Sequence, residues 1–289
     1  MKGIILAGGS GSRLYPSTQV VSKQLLPIYS SPLIYYTLTF LMDAGIRDIC
    51  VITNTENVEI FQKLLKDGSQ WGINIEVRPQ DKPNGIAEAF IIAEDFIGND
   101  NCLLLLGDNM FYGYNKLGYD IKNFDDVDVN PGALIYGYHV HDPERYGVIE
   151  FGDDDDVISL EEKPEYPKSQ YASVGLYICD STVSERARNL TPSERGELEI
   201  TDLLKTYLAE DILSCKMFKR GVVWLDAGTT ESLAEASSFV ETIEKRSGEK
   251  IACPEESAYN NNFINKRQLR VLADDIPTSE YKSYLQSIL

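Results

Sequence analysis

Apolar and polar positions fall in blocks along this chain, and the blocks change period. Residues 3–7 form an apolar run that stops at Gly8-Gly9, the pattern of a buried strand ending in a turn. Ser31-Pro32 opens a helical pattern that reaches about Ala44 and is closed by Gly45. Ser as N-cap, Pro in the first turn and Gly past the end are the expected punctuation. A strand at 48–53, a helix at 58–66 stopped by Gly68, a strand at 73–78 and a helix at 86–96 follow. The apolar run 102–106 then leads into Gly107-Asp108-Asn109. Strand alternating with helix predicts a parallel sheet covered on both faces, with ligands beyond the carboxyl ends of the strands. The loop after the first strand and Asp108 both fall at that edge.

Past residue 110 the pattern changes. Runs at 133–138, 147–151, 157–162 and 173–179 predict shorter strands joined by turns, then helices at 182–189 and 200–210, a strand at 222–226 ending in Asp226, and a mainly helical remainder from Glu231. The tetrad 153–156 is all aspartate. Four adjacent carboxylates suggest a cation site, but the favoured reading is a solvated hairpin tip. No internal repeat or low-complexity linker divides the 289 residues. The fold class is α/β: a Rossmann-like, mostly parallel central sheet with helices on both faces, a smaller β part and a helical C-terminal region.

Composition narrows the chemistry. The formal net charge is −18, which repels nucleic acid and anionic membranes; neither is expected as a partner. An anionic small molecule must then be held by local Arg, Lys or metal charge. The chain has only two histidines, His139 and His141, so a His-rich metal site is excluded. Its five cysteines lack C-x-x-C spacing and mostly sit in apolar runs, which reads as buried free thiols. No apolar run is long enough to span a bilayer and no signal-peptide core is present, so the expected compartment is the cytoplasm.

The loop Gly8-Gly9-Ser10-Gly11-Ser12-Arg13 can bring backbone close to a phosphate and adds a forked cation. Taken alone it is also consistent with a plain glycine turn. A dinucleotide fingerprint begun at Gly9 would need glycine where Leu14 stands, and a Walker loop would need Gly-Lys-Ser/Thr where the chain has Gly11-Ser12-Arg13. A nicotinamide-dependent oxidoreductase is therefore excluded. Lys23, isolated near apolar residues, reads equally as a surface lysine or a functional one.

These segments together are recognisable. The loop 6–13, Ser22-Lys-Gln-Leu-Leu-Pro27, Leu106-Gly-Asp-Asn109, Arg145-Tyr-Gly-Val148, Leu160-Glu-Glu-Lys-Pro164, the segment 195–202 and Trp224-Leu-Asp-Ala-Gly-Thr229 resemble, in order and over nearly the whole chain, the sugar-phosphate nucleotidyltransferases. Within them the similarity is to those that join glucose 1-phosphate to dTTP. The resemblance implies transfer of a thymidylyl group, with Mg2+ as cofactor. It implies that Gly8, Gly11, Ser12 and Arg13 embrace the triphosphate, and that Lys23, with Gln24 nearby, faces the leaving pyrophosphate. Gln80 and Gly85 would read the thymine. Asp108 and Asp226 would hold the metal. Gly147, Glu162 and Val174 would bind the hexose, and Lys163 its phosphate. It further implies one domain over 1–289, with 1–110 as the nucleotide-binding part, 111–230 as the sugar-binding part and 231–289 supplying contacts in a homotetramer, a dimer of dimers. The implied setting is deoxysugar supply for surface polysaccharide.

The chain departs from the family pattern in places. Ser12 and Ala227 stand where Thr is usual, Lys82-Pro83-Asn84-Gly85 replaces Ser-Pro-Asp-Gly, and Ala172-Ser173-Val174-Gly175 replaces Ala-Val-Thr-Gly. The alternatives are the same reaction on UTP or another sugar 1-phosphate, and a non-catalytic relative that binds nucleotide-sugar. The reaction itself needs no histidine base, because the attacking phosphate oxygen is already anionic. It needs positive charge and positioning.

Overall fold

The computed structural model describes residues 1–9, 11–126, 132–153 and 156–289. In chain order, β1 (Lys2–Ala7) is followed by the two-residue strands β2 (Pro27–Ile28) and β3 (Ser31–Pro32), which pair with each other. Next come α1 (Leu33–Asp43), β4 (Asp48–Asn54), α2 (Val58–Leu65), β5 (Asn74–Gln80), α3 (Glu88–Ile92), α4 (Glu94–Ile97) and β6 (Cys102–Leu106). The middle of the chain supplies β7 (Asn109–Tyr112), α5 (Leu117–Phe124), β8 (Ala133–His139), β9 (Gly147–Phe151), β10 (Val157–Glu162) and β11 (Tyr171–Cys179). Then follow α6 (Val183–Arg188), α7 (Ile200–Leu208), β12 (Leu213–Met217), β13 (Val223–Asp226), α8 (Thr230–Ser247), α9 (Pro254–Asn260), α10 (Lys266–Asp275) and α11 (Glu280–Ser287).

Nine of these strands form one sheet in the order β10-β9-β11-β6-β1-β4-β5, with β8 on β11 and β12 on β8. The run β6-β1-β4-β5 is parallel. β11 enters antiparallel beside β6, from Leu176 opposite Leu105 to Cys179 opposite Cys102. The strands of the second half thus continue the sheet of the first. The period of two along each strand sorts its residues between two cores. Ile5, Val51, Leu103 and Leu105 meet Leu38, Leu41 and Phe61 on one face. Ile4, Ile52 and Leu104 meet Phe90, Val183 and Leu203 on the other. Each such side chain stabilises the fold by about 1.5–3 kcal/mol through burial, which is why the central strands read as unbroken apolar runs.

A separate ribbon, β7 with β13, stands at the carboxyl edge and sets Asp226 opposite Asn109. Helix α8 begins with a reciprocal Thr229–Ser232 capping box and packs Ala236 and Val240 against Ile28, Tyr36 and Met110. The last helices are tied down by the carboxylate of Glu255, which accepts from the Trp71 indole (3.2 Å) and the Tyr281 hydroxyl (2.5 Å).

Several sequence expectations are corrected. Ser31 is not the cap of α1. It lies in the β2–β3 ribbon, its hydroxyl donates to the Ala252 carbonyl (3.1 Å), and Pro32 is the cap residue. The helix expected over 86–96 is two short helices broken at Ala93, whose φ of −92° and ψ of 9° leave the helical well. The strands β7 and β12 and helix α5 were not foreseen. β9 and β10 pair antiparallel and the Gly152 N–H donates to the Asp156 carbonyl (2.9 Å), while Asp154 and Asp155 of the aspartate tetrad, like Ser10 of the glycine loop, lie outside the described residues. All five cysteines are free, and only Cys215 is not fully buried.

Candidate active site

The glycine loop leaves β1 and turns at Gly11, whose φ of +59° caps the short 3-10 turn Ser12–Leu14. A left-handed φ suits glycine because it has no Cβ to collide with the carbonyl. The Asn54 side chain pins the loop at both groups of Gly9, accepting from its N–H (3.2 Å) and donating to its carbonyl (3.1 Å). Thr18 donates to the Gly11 carbonyl (2.8 Å). Gly8 permits a close approach of a different kind: a Cβ there would sit 2.5 Å from Oε1 of Gln80. Ser12 and Arg13 are thereby aimed over the sheet edge into a cleft of about 600 Å3.

The same cleft is lined by Asp108, Gly147, Glu162, Lys163 and Asp226. Residues separated by more than 200 positions in sequence meet there because β1, β6, β10 and β13 all end at this edge. Lys23 reaches Asp108 from an adjoining recess of about 440 Å3, also lined by Gly9, Asn54 and Asp81. Burial opposes ionisation of Asp108, but the Lys23 ammonium and the Asn109 amide (2.9 Å) outweigh it and hold the carboxyl below the usual range. Burial and the charge of Asp108 push Asp226 the other way, above the usual range, against Lys23, Arg13 and Arg145. Two carboxylates disfavouring each other's charge, with cations around them, is an electrostatic arrangement that one further cation would relieve. Gly228 allows the closeness, since a Cβ there would lie 2.8 Å from Asp226 Oδ1 and 3.0 Å from an Arg13 nitrogen.

On the far wall, Glu162 pairs in register with Gly147. Burial raises the Glu162 carboxyl, with Lys163 (3.5 Å) and Arg195 (3.8 Å) pulling it back. Lys163 holds a positive φ of 45°, and its N–H donates to the Tyr146 carbonyl (2.9 Å). Its ammonium is half-exposed toward the cleft. Thr201, one of the residues lining the cleft, is 1% exposed, and its buried hydroxyl finds no protein partner among the described residues. A buried hydroxyl normally has a partner, so this one suits a polar ligand.

Other expected residues stand differently. The Val174 side chain is fully buried in the core on the opposite face, because Ser173, Gly175 and Tyr177 take the cleft side of β11. Any contact of Val174 with a ligand in the cleft would therefore have to come from its backbone. Gln24 is 1% exposed, with its amide oxygen accepting from Ser22 (2.6 Å). Gln80 donates to Glu88 (2.8 Å) beside Gly8, and Gly85 turns against the Leu198 backbone with a φ of +109°. These three line neither the cleft nor the recess. Sequence reasoning gave no role to Arg145, Arg195, Asn109, Trp224 or Thr201, all of which line the cleft. All five fall inside the recognised segments, and that was their only sequence signal. His139 and His141 are exposed and lie elsewhere.

Comparison with known proteins agrees with this geometry. The model of the nucleotidyl transferase family matches residues 2–243. A glucose-1-phosphate thymidylyltransferase of Neisseria gonorrhoeae is 50% identical over 289 residues, covering 100% of this chain and 99% of the relative. One of Xanthomonas campestris pv. campestris (strain B100) is 49% identical, covering 99% and 96%. Among solved structures, a protein of Bacillus anthracis assigned as a glucose-1-phosphate thymidylyltransferase, in complex with sucrose, superposes with a TM-score of 0.76. It is 42% identical, over 83% of this chain and 94% of that one. A UDP-glucose pyrophosphorylase complexed with UDP-glucose gives a TM-score of 0.72 at 25% identity, over 84% and 98%. A Gly-rich loop, two strand-end aspartates and a ring of cations around one cleft thus stand in a chain whose relatives are enzymes of one kind: the chain belongs to the nucleotidyl transferase family, among its glucose-1-phosphate thymidylyltransferases.

Proposed function

We propose that this protein transfers a thymidylyl group from dTTP to α-D-glucose 1-phosphate, releasing pyrophosphate. The observation that carries the reading is the convergence of Arg13, Asp108, Lys163 and Asp226 on one cleft of an otherwise strongly acidic chain. An oxygen of the sugar phosphate attacks the α-phosphorus, the bond to the β-phosphate bridging oxygen breaks on the opposite side, and charge accumulates on pyrophosphate. Arg13 and Lys23 neutralise the triphosphate and then the leaving group, with Gly8, Gly11 and Ser12 offering the loop to the phosphates. Gln24 supports the turn that carries Lys23. Lys163 fixes the attacking phosphate, which removes the repulsion that keeps two anions apart. Glu162 accepts hexose hydroxyls, beside Gly147, the Thr201 hydroxyl and the Val174 backbone. Gln80 and Gly85 are the residues we assign to the base, on the ground that Gln80 abuts Gly8 of the loop and donates to the Gly85 carbonyl (3.4 Å), although neither lines the cleft itself.

Asp108 and Asp226 are the carboxylates that would hold Mg2+. Mg2+ needs only one or two protein carboxylates when substrate phosphates and water supply its other ligands. When bound, Mg2+ draws charge from the phosphate oxygens. Lys23 contacts Asp108, so its ammonium would stand beside the ion and add to the positive charge that meets the phosphates. No helix among the described residues is long and apolar enough to cross a membrane. We read the enzyme as a cytoplasmic dimer of dimers.

The similarity to a UDP-glucose pyrophosphorylase favours one second reading, use of UTP. Thymine and uracil differ by a methyl group, which a pocket separates by only ~1–3 kcal/mol. A pyrophosphate-release assay over a grid of nucleotides and sugar phosphates, with and without Mg2+, tests both. Fastest turnover is expected with dTTP and glucose 1-phosphate. Turnover confined to another pair would refute the substrate assignment, and no turnover with any pair would refute the reaction.

A further inference from the structure

The side chain of Asn109 is 3% exposed and uses both ends of its amide. Its Nδ2 donates to Asp108 Oδ1 (2.9 Å). Its Oδ1 accepts from the Trp224 indole (2.6 Å) and from the Gly175 backbone N–H (3.2 Å). These three partners lie on three separate elements. Asp108 follows β6. Trp224 is on β13, two residues before Asp226 and paired across the ribbon with Phe111. Gly175 is on β11, between Ser173 and Tyr177, where the β8–β11 register shifts. That irregularity leaves the Gly175 N–H to a side chain, and Gly175 must lack a Cβ, which would sit 2.8 Å from Asn109 Oδ1.

We propose that Asn109 is a positioning residue that fixes the Asp108 carboxylate and locks it to the strand carrying Asp226 and to the β11 wall of the cleft. The inference rests on the reading that Asp108 and Asp226 take a divalent cation. One oxygen of Asp108 is held by the Asn109 amide, and the other is left to Lys23, which reaches it from the adjoining recess. Without the amide the carboxylate is free to rotate, and the two aspartates lose their fixed relation. Asp108 and Asp226 are each tied to the ribbon in another way, since the Ala227 N–H donates to the Asp108 carbonyl (3.0 Å). The backbone therefore keeps the aspartates near each other, and Asn109 adds the orientation of one side chain.

Partners that orient metal-binding carboxylates change metal affinity or activity by about 10–100-fold when removed. In Asn109→Leu, Mn2+ binding to the protein with dTDP-glucose present, followed by the electron paramagnetic resonance of the free ion, is expected to weaken ~10-fold. In the same variant kcat should fall by at least ~10-fold while KM for glucose 1-phosphate changes less than ~3-fold. Trp224→Phe, which removes the indole donor and keeps a ring, should shift metal affinity the same way by a smaller factor, and it serves as the test if Asn109→Leu does not fold. Wild-type Mn2+ affinity in folded Asn109→Leu overturns the proposal. So does wild-type affinity in Trp224→Phe when the first variant is unfolded. Asp108→Asn separates the two levels: if it too binds Mn2+ as the wild type does, the metal reading itself fails, and this inference falls with it.

Discussion

Asp226 shows how much a single residue's role depends on its neighbours. Burial and the Asp108 charge both work against its ionised form, while Arg13, Arg145 and Lys23 work for it. A carboxylate kept in so unfavourable a place serves function rather than stability. Asp226→Asn should therefore cut kcat by about 100-fold or more, measured by pyrophosphate release, while the metal-free protein melts at the wild-type temperature or above it. A lower melting temperature with near-normal turnover would remove Asp226 from the metal site. The sequence made this residue visible because it ends an apolar run inside a recognised segment. Val174 lay instead where the chain departs from the family pattern, and its side chain points into the core on the other face of the sheet. Sequence position identifies a segment; strand alternation decides which of its side chains the cleft receives.

At the level of elements, local pattern served well where one face is apolar and poorly where pairing is made at a distance. The strands β1, β4 and β6 were legible because they are buried on both faces. β12 was not, since its intermediate burial breaks the apolar run and its partner β8 is remote in sequence. The helix over 86–96 breaks at Ala93 for no reason that the sequence pattern shows. Glycines mark the tight approaches between elements. Gly72 has a φ of +68°, and a Cβ there would lie 2.3 Å from the Phe263 carbonyl oxygen, where the chain after α9 packs under the Ser69–Trp71 turn. Gly72→Ala should cost ~1–3 kcal/mol in strain and lower the melting temperature by at least about 3 °C. Turnover at moderate temperature should stay within twofold of wild type, because the cleft lies at another edge. Unchanged melting would mean that this junction yields at little cost.

Over the whole molecule, one sheet carries both halves of the site. Parallel strands bring the glycine loop and Asp108 to its carboxyl edge, and β11, entering antiparallel beside β6, sets another wall of the cleft against them. The two cores that hold this sheet are built of apolar side chains, and the proposed ion would sit at the cleft, so chelation with EDTA is expected to abolish turnover and leave the melting temperature unchanged. Loss of both together would tie the ion to the fold. The sequence by itself determined the alternation of elements, the glycine loop, the acidic surface and the segments that carry the family's chemistry, because these are properties of short stretches of chain. Only the tertiary structure decided that β11 joins the first half's sheet, that Arg145, Arg195 and Thr201 enter the cleft, and that Asn109 binds three elements at one amide. Those facts depend on contacts between residues tens to hundreds of positions apart, and local patterns of hydrophobicity carry no record of which distant surfaces will meet.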